Sequence, residues 1–188
     1  MSDFTTAPVD WAPWVPVPDA ATASPEQLAL LQAHTHNGVI STYNATMAHD
    51  PSTFAHRSAL LGAIMNAPGG LSRAERELVS VVVSVLNHCV YCASIHGRLF
   101  LQHGGDAELL DQLFAHGVNI PLSERQRELV DYTTKLTLTP DQIGPADQAR
   151  MRAVGFTDGE IIDVIHVAAL FAWYNRLLET LGEAIVLE

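Results

Sequence analysis

The segment SRAERELVSVVVSVLNHCVYCASIH, residues 72–96, decides the fold predicted for this chain. Ser72 and Glu75 form an S-x-x-E capping box, which marks the start of a helix. The valine-rich run that follows favours a strand by propensity, but the box and the length of the run favour a buried helix. We therefore predict a helix over 73–86, followed by a second helix that begins near the two cysteines.

The same capping pattern occurs three more times, at Ser24, Ser123 and Thr157, each followed three positions later by Gln or Glu. Four boxes in one chain indicate an all-α protein with many helices. Glycine and proline clusters between the boxes supply the helix ends. Helices are predicted near residues 25–34, 37–49, 52–65, 73–86, 90–103, 106–116, 123–137, 145–154 and 158–181.

The first 23 residues differ in composition from the rest of the chain. They carry four of the ten prolines and two of the three tryptophans, which suits an extended arm better than a helix. Trp11 and Trp14 are expected to anchor this arm, residues 1–23, to the body or to a neighbouring subunit, because large exposed aromatics are uncommon. Residues 24–188 are expected to form a single helical domain.

The chain is acidic, with 21 Asp and Glu residues against 10 Lys and Arg and a net charge of −11. Such a surface repels phosphate backbones and anionic membranes, so neither nucleic acid nor a membrane is an expected partner. The N-terminus lacks the pattern of a secretory signal, and no apolar run reaches the roughly 20 residues that span a bilayer. The expected location is the cytoplasm. The low charged fraction, 16%, favours apolar surface hidden between subunits.

Cys89 and Cys92 are the two cysteines of the chain, and His96 follows four positions after the second. On a helix that begins at the cysteines, these positions are i, i+3 and i+7 and share one face. The free amide groups and the positive dipole of a first turn favour a thiolate, and the imidazole can relay its proton. In the cytoplasm a close cysteine pair is more often catalytic or metal-binding than structural.

On these residues alone, the pair is a redox centre, a metal site or inert core. A structural zinc site requires four ligands, and Cys89, Cys92 and His96 supply three, with only scattered histidines for the fourth. Glu77 is a candidate acidic partner if the chain doubles back after the first helix. Glu75 competes with it, although its place in the capping box already explains it.

The segment ELVSVVVSVLNHCVYCASIH, residues 77–96, fits the pattern Glu, eleven residues, Cys, two residues, Cys, three residues, His. It closely resembles the alkylhydroperoxidase D family within the carboxymuconolactone decarboxylase superfamily. The stretches LSRAERELVSVVVSVLNHCVYC, residues 71–92, and FAWYNRLLETLG, residues 171–182, are similar to the uncharacterised peroxidase-related branch of that family. The resemblance covers most of the chain from about residue 35 onward.

This resemblance implies a helical homo-oligomer (dimer, trimer or hexamer) that reduces alkyl or other hydroperoxides, or a peroxiredoxin partner, without a bound cofactor. By position, it assigns Cys92 as the peroxidatic cysteine, Cys89 as the resolving cysteine, and His96 and Glu77 as the proton relay. An external dithiol donor, lipoyl or thioredoxin-like, would then reduce the disulfide. The chain differs from the best-known members at Tyr91, where they carry a histidine.

Three further residues are candidates for the pocket. Tyr91 either supplies a hydroxyl at the pocket mouth or simply packs. His166, in the apolar final helix, is either a satisfied core histidine or a residue that lines the cavity. Asn175 lies in a stretch that the resemblance places near the redox helix or a subunit contact, with ordinary helix packing as the alternative. The alternative functions are a non-redox decarboxylase-like enzyme and a non-catalytic metal-binding helical module.

Overall fold

The computed structural model describes residues 4–19, 21–35 and 38–187. That part of the chain contains nine α-helices, a 3-10 helix and a two-stranded sheet, so the predicted all-α class is confirmed. In chain order the elements are β1 (Val9–Pro13), α1 (Pro25–Ala33), α2 (Thr42–Met47), α3 (Pro51–Met65), α4 (Arg73–Leu86), α5 (Val90–Gln102), α6 (Ala107–His116), α7 (Glu124–Leu138), the 3-10 helix (Pro140–Gln142), α8 (Pro145–Ala153), α9 (Asp158–Leu181) and β2 (Gly182–Val186).

The four predicted capping boxes all form, at the starts of α1, α4, α7 and α9. Helix bounds therefore agree with the predicted ones to within a few residues, with one exception. Helix α2 is shorter than the predicted 37–49, because the Ser41 side chain accepts a hydrogen bond from the Asn44 N–H at 3.2 Å and caps a later start. Residue 37 itself lies outside the described residues.

Helix α4 runs through the centre of the protein. Residues 76–85 are all buried, and α4 packs against α5, α7 and α9. Because neighbours surround the helix, it needs apolar side chains on nearly every face, which explains the valine-rich run. Its two buried serines donate to carbonyls one turn back, Ser80 to Arg76 at 2.8 Å and Ser84 to Ser80 at 2.7 Å. Burial thus overrides the strand propensity of valine here.

The sequence does not predict the small sheet. Strand β1 lies within the predicted extended arm, and β2 follows directly after the last helix. The two strands pair in antiparallel fashion, with Trp11 opposite Ala184. They come from opposite ends of the described chain, so the tight turn that normally reveals a pair of antiparallel strands is absent from the sequence.

The two tryptophans of the arm have different environments. Trp11 is 3% exposed, its Nε1 donates to the Leu178 carbonyl at 3.2 Å, and its ring meets Tyr43 edge-on with centroids 5.6 Å apart. Trp14 is 60% exposed. Within this chain, therefore, Trp11 anchors the arm to the body and Trp14 lies at the surface.

Helix α5 also holds the arm. Ser94 Oγ and Arg98 Nη1 each donate a hydrogen bond to the Ala7 carbonyl, both at 2.8 Å. Arg98 Nη1 also donates to Ser94 Oγ at 2.8 Å. The helix that carries Cys92 is therefore tied directly to the N-terminal arm.

Contrary to the sequence-based expectation, α9 is long and apolar enough to span a membrane by length and composition alone. Half of its most apolar window is buried inside the protein, where the helix packs against α4 and α7. Core helices of soluble proteins pass the same test, so length and composition are weak evidence for a membrane span. The buried face of α9 has a packing role in this structure.

Candidate active site

A tight turn joins α4 to α5 and reverses the chain. Asn87 is the C-cap of α4, His88 follows in the left-handed conformation with φ 59°, and Cys89 is the N-cap of α5. Few non-glycine residues adopt this conformation. The turn is closed by the Cys89 N–H, which donates to the Ser84 carbonyl at 2.9 Å. Helix α5 then packs back along α4, so the side chains of the two helices meet.

Cys89 and Cys92 are free, buried thiols one helical turn apart. A hydrogen bond between the Cys89 thiol and Cys92, together with burial, raises the pKa of Cys89 well above its usual range. Cys89 therefore stays protonated at neutral pH and can donate to the Cys92 sulfur. Cys92 lies in the first turn of α5 and lines a cavity. The two sulfurs are thus unequal, and Cys92 is the one beside the cavity.

Glu77 and His96 are joined by a short hydrogen bond. His96 Nδ1 donates to Glu77 Oε2 at 2.6 Å, and Arg73 Nε donates to the other carboxylate oxygen at 2.7 Å. Glu77 is fully buried, and burial alone would raise its pKa, but the hydrogen bonds and charges of His96 and Arg73 outweigh burial and lower it. Glu77 is therefore a carboxylate that orients the imidazole. Nε2 is left as the nitrogen that can exchange a proton beside the cavity.

Glu75, the competing glutamate, lies elsewhere. Its carboxylate accepts from the Ser72 N–H at 3.1 Å in the capping box and from Arg125 Nε at 2.8 Å. The structure therefore brings Glu77, not Glu75, to the histidine. The sharp turn at the end of α4 decides this, because it sets which side of α4 faces α5.

A cavity of about 470 Å³ opens beside Cys92 and His96. The Phe171 ring packs edge-on against the imidazole, with centroids 4.4 Å apart. A cavity of this size suits a small organic molecule. Its apolar lining comes from α3, α5 and α9 and consists of Leu61, Met65, Ile95, Leu99, Phe171 and Leu178.

Tyr91 lines the same cavity, one residue before Cys92. Burial raises the pKa of its phenol, and a hydrogen bond with Ser41 offsets only part of that effect. Tyr91 is thus a neutral hydroxyl beside Cys92. It cannot exchange protons at neutral pH as an imidazole does.

Of the two roles predicted for His166, the core role is wrong, and His166 is not among the described residues that line this cavity. His166 is exposed. Helix α9 presents Phe171, Tyr174 and Leu178 to the cavity. His166 precedes Phe171 by five residues, which places it about 140° away around the helix. The run around His166 is apolar on several sides, so its periodicity does not reveal the exposed face.

Asn175 is buried but is not among the described residues that line the cavity. Its Nδ2 donates to Ser84 Oγ at 3.2 Å, and its Oδ1 accepts from Asn87 Nδ2 at 3.1 Å. Asn175 is therefore not part of the described wall of this cavity, although it lies close to the start of the redox helix. Asn175 instead fastens α9 to the last turn of α4, directly before the turn that carries Cys89.

Glu179 is a residue near the pair that sequence reasoning missed. Its side chain is exposed overall, but its carboxyl lies close enough to Cys89 to interact with that thiol. Partial burial of the carboxyl raises the pKa of Glu179, and the neighbouring Cys89 thiol and His88 offset only part of this rise. No spacing in the sequence signals the contact, because Glu179 lies 90 positions after Cys89.

The cysteines are not part of a metal-ligand cluster in the described part of the chain. Across those residues, no group of three or more His, Cys, Asp or Glu side chains is placed to hold an ion. A larger cavity of about 580 Å³ lies beside His88, and its described lining includes neither cysteine. Of these two cavities, the one beside Cys92 is therefore the candidate active site.

Comparison with known proteins gives a family and a fold. The carboxymuconolactone decarboxylase family is matched over residues 51–135, which include Glu77, both cysteines and His96. The alkylhydroperoxidase AhpD core, an uncharacterized peroxidase-related protein from Ralstonia eutropha JMP134, is 29% identical, with a TM-score of 0.76 and 88% of each chain covered. An uncharacterized peroxidase-related protein from Silicibacter sp. TM1040 is 28% identical, with a TM-score of 0.76, 94% of this chain and 92% of that one covered.

The debrominase Bmp8 shares the fold at 15% identity, with a TM-score of 0.69 and 89% of each chain covered. One fold hosts different reactions, so this likeness carries no information on the substrate. No curated protein matches the chain. The matched region, the two peroxidase-related structures and the shared helical architecture together support the assignment of the chain to the carboxymuconolactone decarboxylase superfamily, in its alkylhydroperoxidase D-like group.

Proposed function

We propose that this protein is a thiol-dependent peroxidase that reduces hydroperoxides with its cysteine pair, in an antioxidant role. One arrangement carries the proposal: Cys92 and His96 line one cavity, Glu77 holds the imidazole at 2.6 Å, and the protonated Cys89 is hydrogen-bonded to Cys92. A nucleophilic sulfur, a proton relay and a resolving thiol are the parts that such a cycle requires. The peroxidase-related relatives support the same class of reaction.

In the proposed cycle the Cys92 thiolate attacks the terminal oxygen of the hydroperoxide, and the O–O bond breaks. The sulfur becomes a sulfenic acid, and the alkoxide leaves as an alcohol after it takes a proton from the relay of His96 and Glu77. Cys89 then attacks the sulfenic acid, which forms the disulfide and releases water. An external dithiol of the lipoyl or thioredoxin type reduces the disulfide and restores both thiols.

The setting of this cycle is also part of the proposal. The enzyme works in the cytoplasm as a homo-oligomer, with a peroxiredoxin as an alternative physiological oxidant of the pair. Neither nucleic acid nor a membrane takes part, in keeping with the net charge of −11. No bound cofactor enters the chemistry, because the two thiols carry the two electrons.

The direct test is mass spectrometry of the peptide that contains residues 89–92, before and after one equivalent of hydroperoxide. The expected result is the loss of two hydrogens, as one disulfide forms, and their return on reduction with dihydrolipoamide or reduced thioredoxin. The donor that restores the mass at catalytic concentration identifies the partner class. A peptide whose mass does not change, in a folded and reduced protein, would contradict the proposal.

Replacing Glu179 by glutamine is expected to slow disulfide formation about tenfold, because the carboxylate accepts the Cys89 proton as this thiol attacks. The first step, oxidation of Cys92, is expected to keep its rate. Stopped-flow measurement of both steps after mixing with peroxide checks this separation. Glu183→Gln, an exposed change of the same type on β2, is the matched control. Equal slowing of both steps, or of neither, would rule out this role.

A further inference from the structure

Arg57 is a buried cation on the wall of the cavity that contains Cys92. It lies on α3 and is 5% exposed. Its Nη2 donates to Asn44 Oδ1 at 2.9 Å, while Nε and Nη1 are buried and have no hydrogen-bond partner in the described part of the chain. Buried guanidinium groups are normally paired with a carboxylate or fully hydrogen-bonded. Within the described residues, no carboxylate pairs with Arg57.

Aromatic rings surround the guanidinium. Its central carbon lies 4.3 Å from the ring centroid of Phe54 and 5.1 Å from those of Tyr43 and Tyr174. These contacts stabilise the cation, but they use the ring faces and leave N–H groups unpaired. The hydroxyls of Tyr43 and Tyr174 are likewise buried without a hydrogen-bond partner in the region that the structure covers. On this side of the cavity, four buried polar atoms (Nε and Nη1 of Arg57 and the hydroxyls of Tyr43 and Tyr174) thus have no hydrogen-bond partner among the described residues.

The charged residues of the cavity also favour an anion beside Arg57. Its described lining contains two arginines, Arg57 and Arg73, and no Asp or Glu, in a chain whose net charge is −11. Arg73 is already paired with Glu77, because Arg73 Nη2 lies 2.6 Å from Glu77 Oε1. Arg57 is therefore the positive charge of the cavity that no carboxylate of the described residues balances. An anion that enters the cavity meets an attractive field strengthened by the apolar walls.

We propose that Arg57, Tyr43 and Tyr174 bind the carboxylate group of the substrate. A guanidinium offers a pair of parallel N–H donors that match a carboxylate, and the phenols add O–H donors. Tyr43, Arg57, Tyr174 and Cys92 all line the same cavity, so a molecule held by the first three shares that cavity with the nucleophile. The apolar lining takes the carbon chain. The inference rests on the proposed peroxidase function, and it names a hydroperoxide that carries a carboxylate as the substrate class.

The first test compares two alkylating agents at Cys92 in the reduced protein, followed by peptide mass spectrometry. Iodoacetate carries a carboxylate and iodoacetamide is its neutral counterpart. The rate ratio of iodoacetate to iodoacetamide is expected to fall at least tenfold in Arg57→Gln. It is expected to stay unchanged in Arg176→Gln, an exposed arginine whose replacement changes the net charge equally. An equal ratio in wild type and Arg57→Gln would overturn the proposal.

The second test needs no variant, so it stands if Arg57→Gln fails to fold. Hexanoate is expected to slow the alkylation of wild-type Cys92 by iodoacetamide at least fivefold, at a concentration where hexanamide has no effect. Equal protection by the acid and the amide, or by neither, would overturn the carboxylate site. These measurements require only a reactive Cys92. A protein that prefers anions but leaves peroxide unreduced would therefore contradict the proposed function and not this site.

A third comparison tests the substrate class in turnover. A hydroperoxy carboxylic acid of medium chain length is expected to have a kcat/KM at least tenfold higher than its methyl ester in the wild type. Arg57→Gln should lower the ratio of the two kcat/KM values, acid over ester, at least tenfold. If acid and ester react equally in the wild type, the site does not select the substrate and the inference is wrong.

Discussion

Cys92→Ser is expected to lower peroxide reduction at least about 10³-fold, to the rate without enzyme. Cys92 is the sulfur beside the cavity, and a serine hydroxyl is a far weaker nucleophile toward an O–O bond than a thiolate. The measurement is the initial rate of hydroperoxide loss with dihydrolipoamide in excess. A thermal unfolding midpoint close to that of the wild type would show that the nearly isosteric change leaves the core intact.

Cys89→Ser is the variant to compare with Cys92→Ser, and it is expected to block a later step of the cycle. Cys92 still reacts once with peroxide, because its place beside the cavity and His96 is unchanged. The sulfenic acid then persists and is trapped by dimedone, and repeated turnover is lost. Single-turnover oxidation that survives in Cys92→Ser and disappears in Cys89→Ser would reverse the assignment. Catalysis that survives loss of both cysteines would instead favour a non-redox decarboxylase-like enzyme.

Glu77→Gln is expected to reduce kcat/KM for hydroperoxide on the order of 10²-fold, within the range of general acid–base catalysis. The Glu77 carboxylate accepts a hydrogen bond from the Nδ1–H of His96, with 2.6 Å between Nδ1 and Oε2. This bond fixes both the tautomer and the orientation of the ring. A glutamine amide can turn its NH₂ toward Nδ1, which places the proton on Nε2 and removes the base at the cavity. The pH profile of kcat/KM measures this loss directly.

Glu75→Gln is the control for this variant, since the two glutamates lie on the same helix. Glu75 caps α4 and pairs with Arg125, so its replacement is expected to lower stability slightly and leave kcat/KM unchanged. Equal losses of activity in the two variants would contradict the relay.

Glu77 also links stability to pH. Its folded pKa lies below the ordinary value of 4.5, so its interactions stabilise the folded state at neutral pH. That contribution is lost as the pH falls below about 4.5, and Glu77→Gln should flatten the acid limb of the stability profile.

The predictable parts of this protein depend on residues near one another in the chain. Capping boxes place helix starts because the cap and its partner are three positions apart. The spacing of Cys89, Cys92 and His96 places them together for the same reason, since they share one helix. The contact between Glu77 and His96 is harder to predict, because it depends on how sharply the chain reverses at His88.

The parts that the sequence does not predict come from helices far apart in the chain. Arg57 and Glu179 reach the cavity and the cysteine pair from α3 and α9, and no local pattern distinguishes them from surface charges. His166 is misplaced for a related reason. A helix that is apolar on several sides gives a weak periodic signal, so the sequence does not indicate that His166 lies on the exposed side of α9.

The bond between Trp11 and the Leu178 carbonyl joins residues 167 positions apart in the chain, and this separation has a consequence for the order of folding. Neighbouring helices such as α4 and α5 meet through short connections and close small loops, whereas the sheet closes a very long one. We therefore expect the arm to dock late, onto helices that have already assembled. Because Trp11 packs against Tyr43 on the cavity wall, the substrate pocket takes its final shape only when the two distant strands meet.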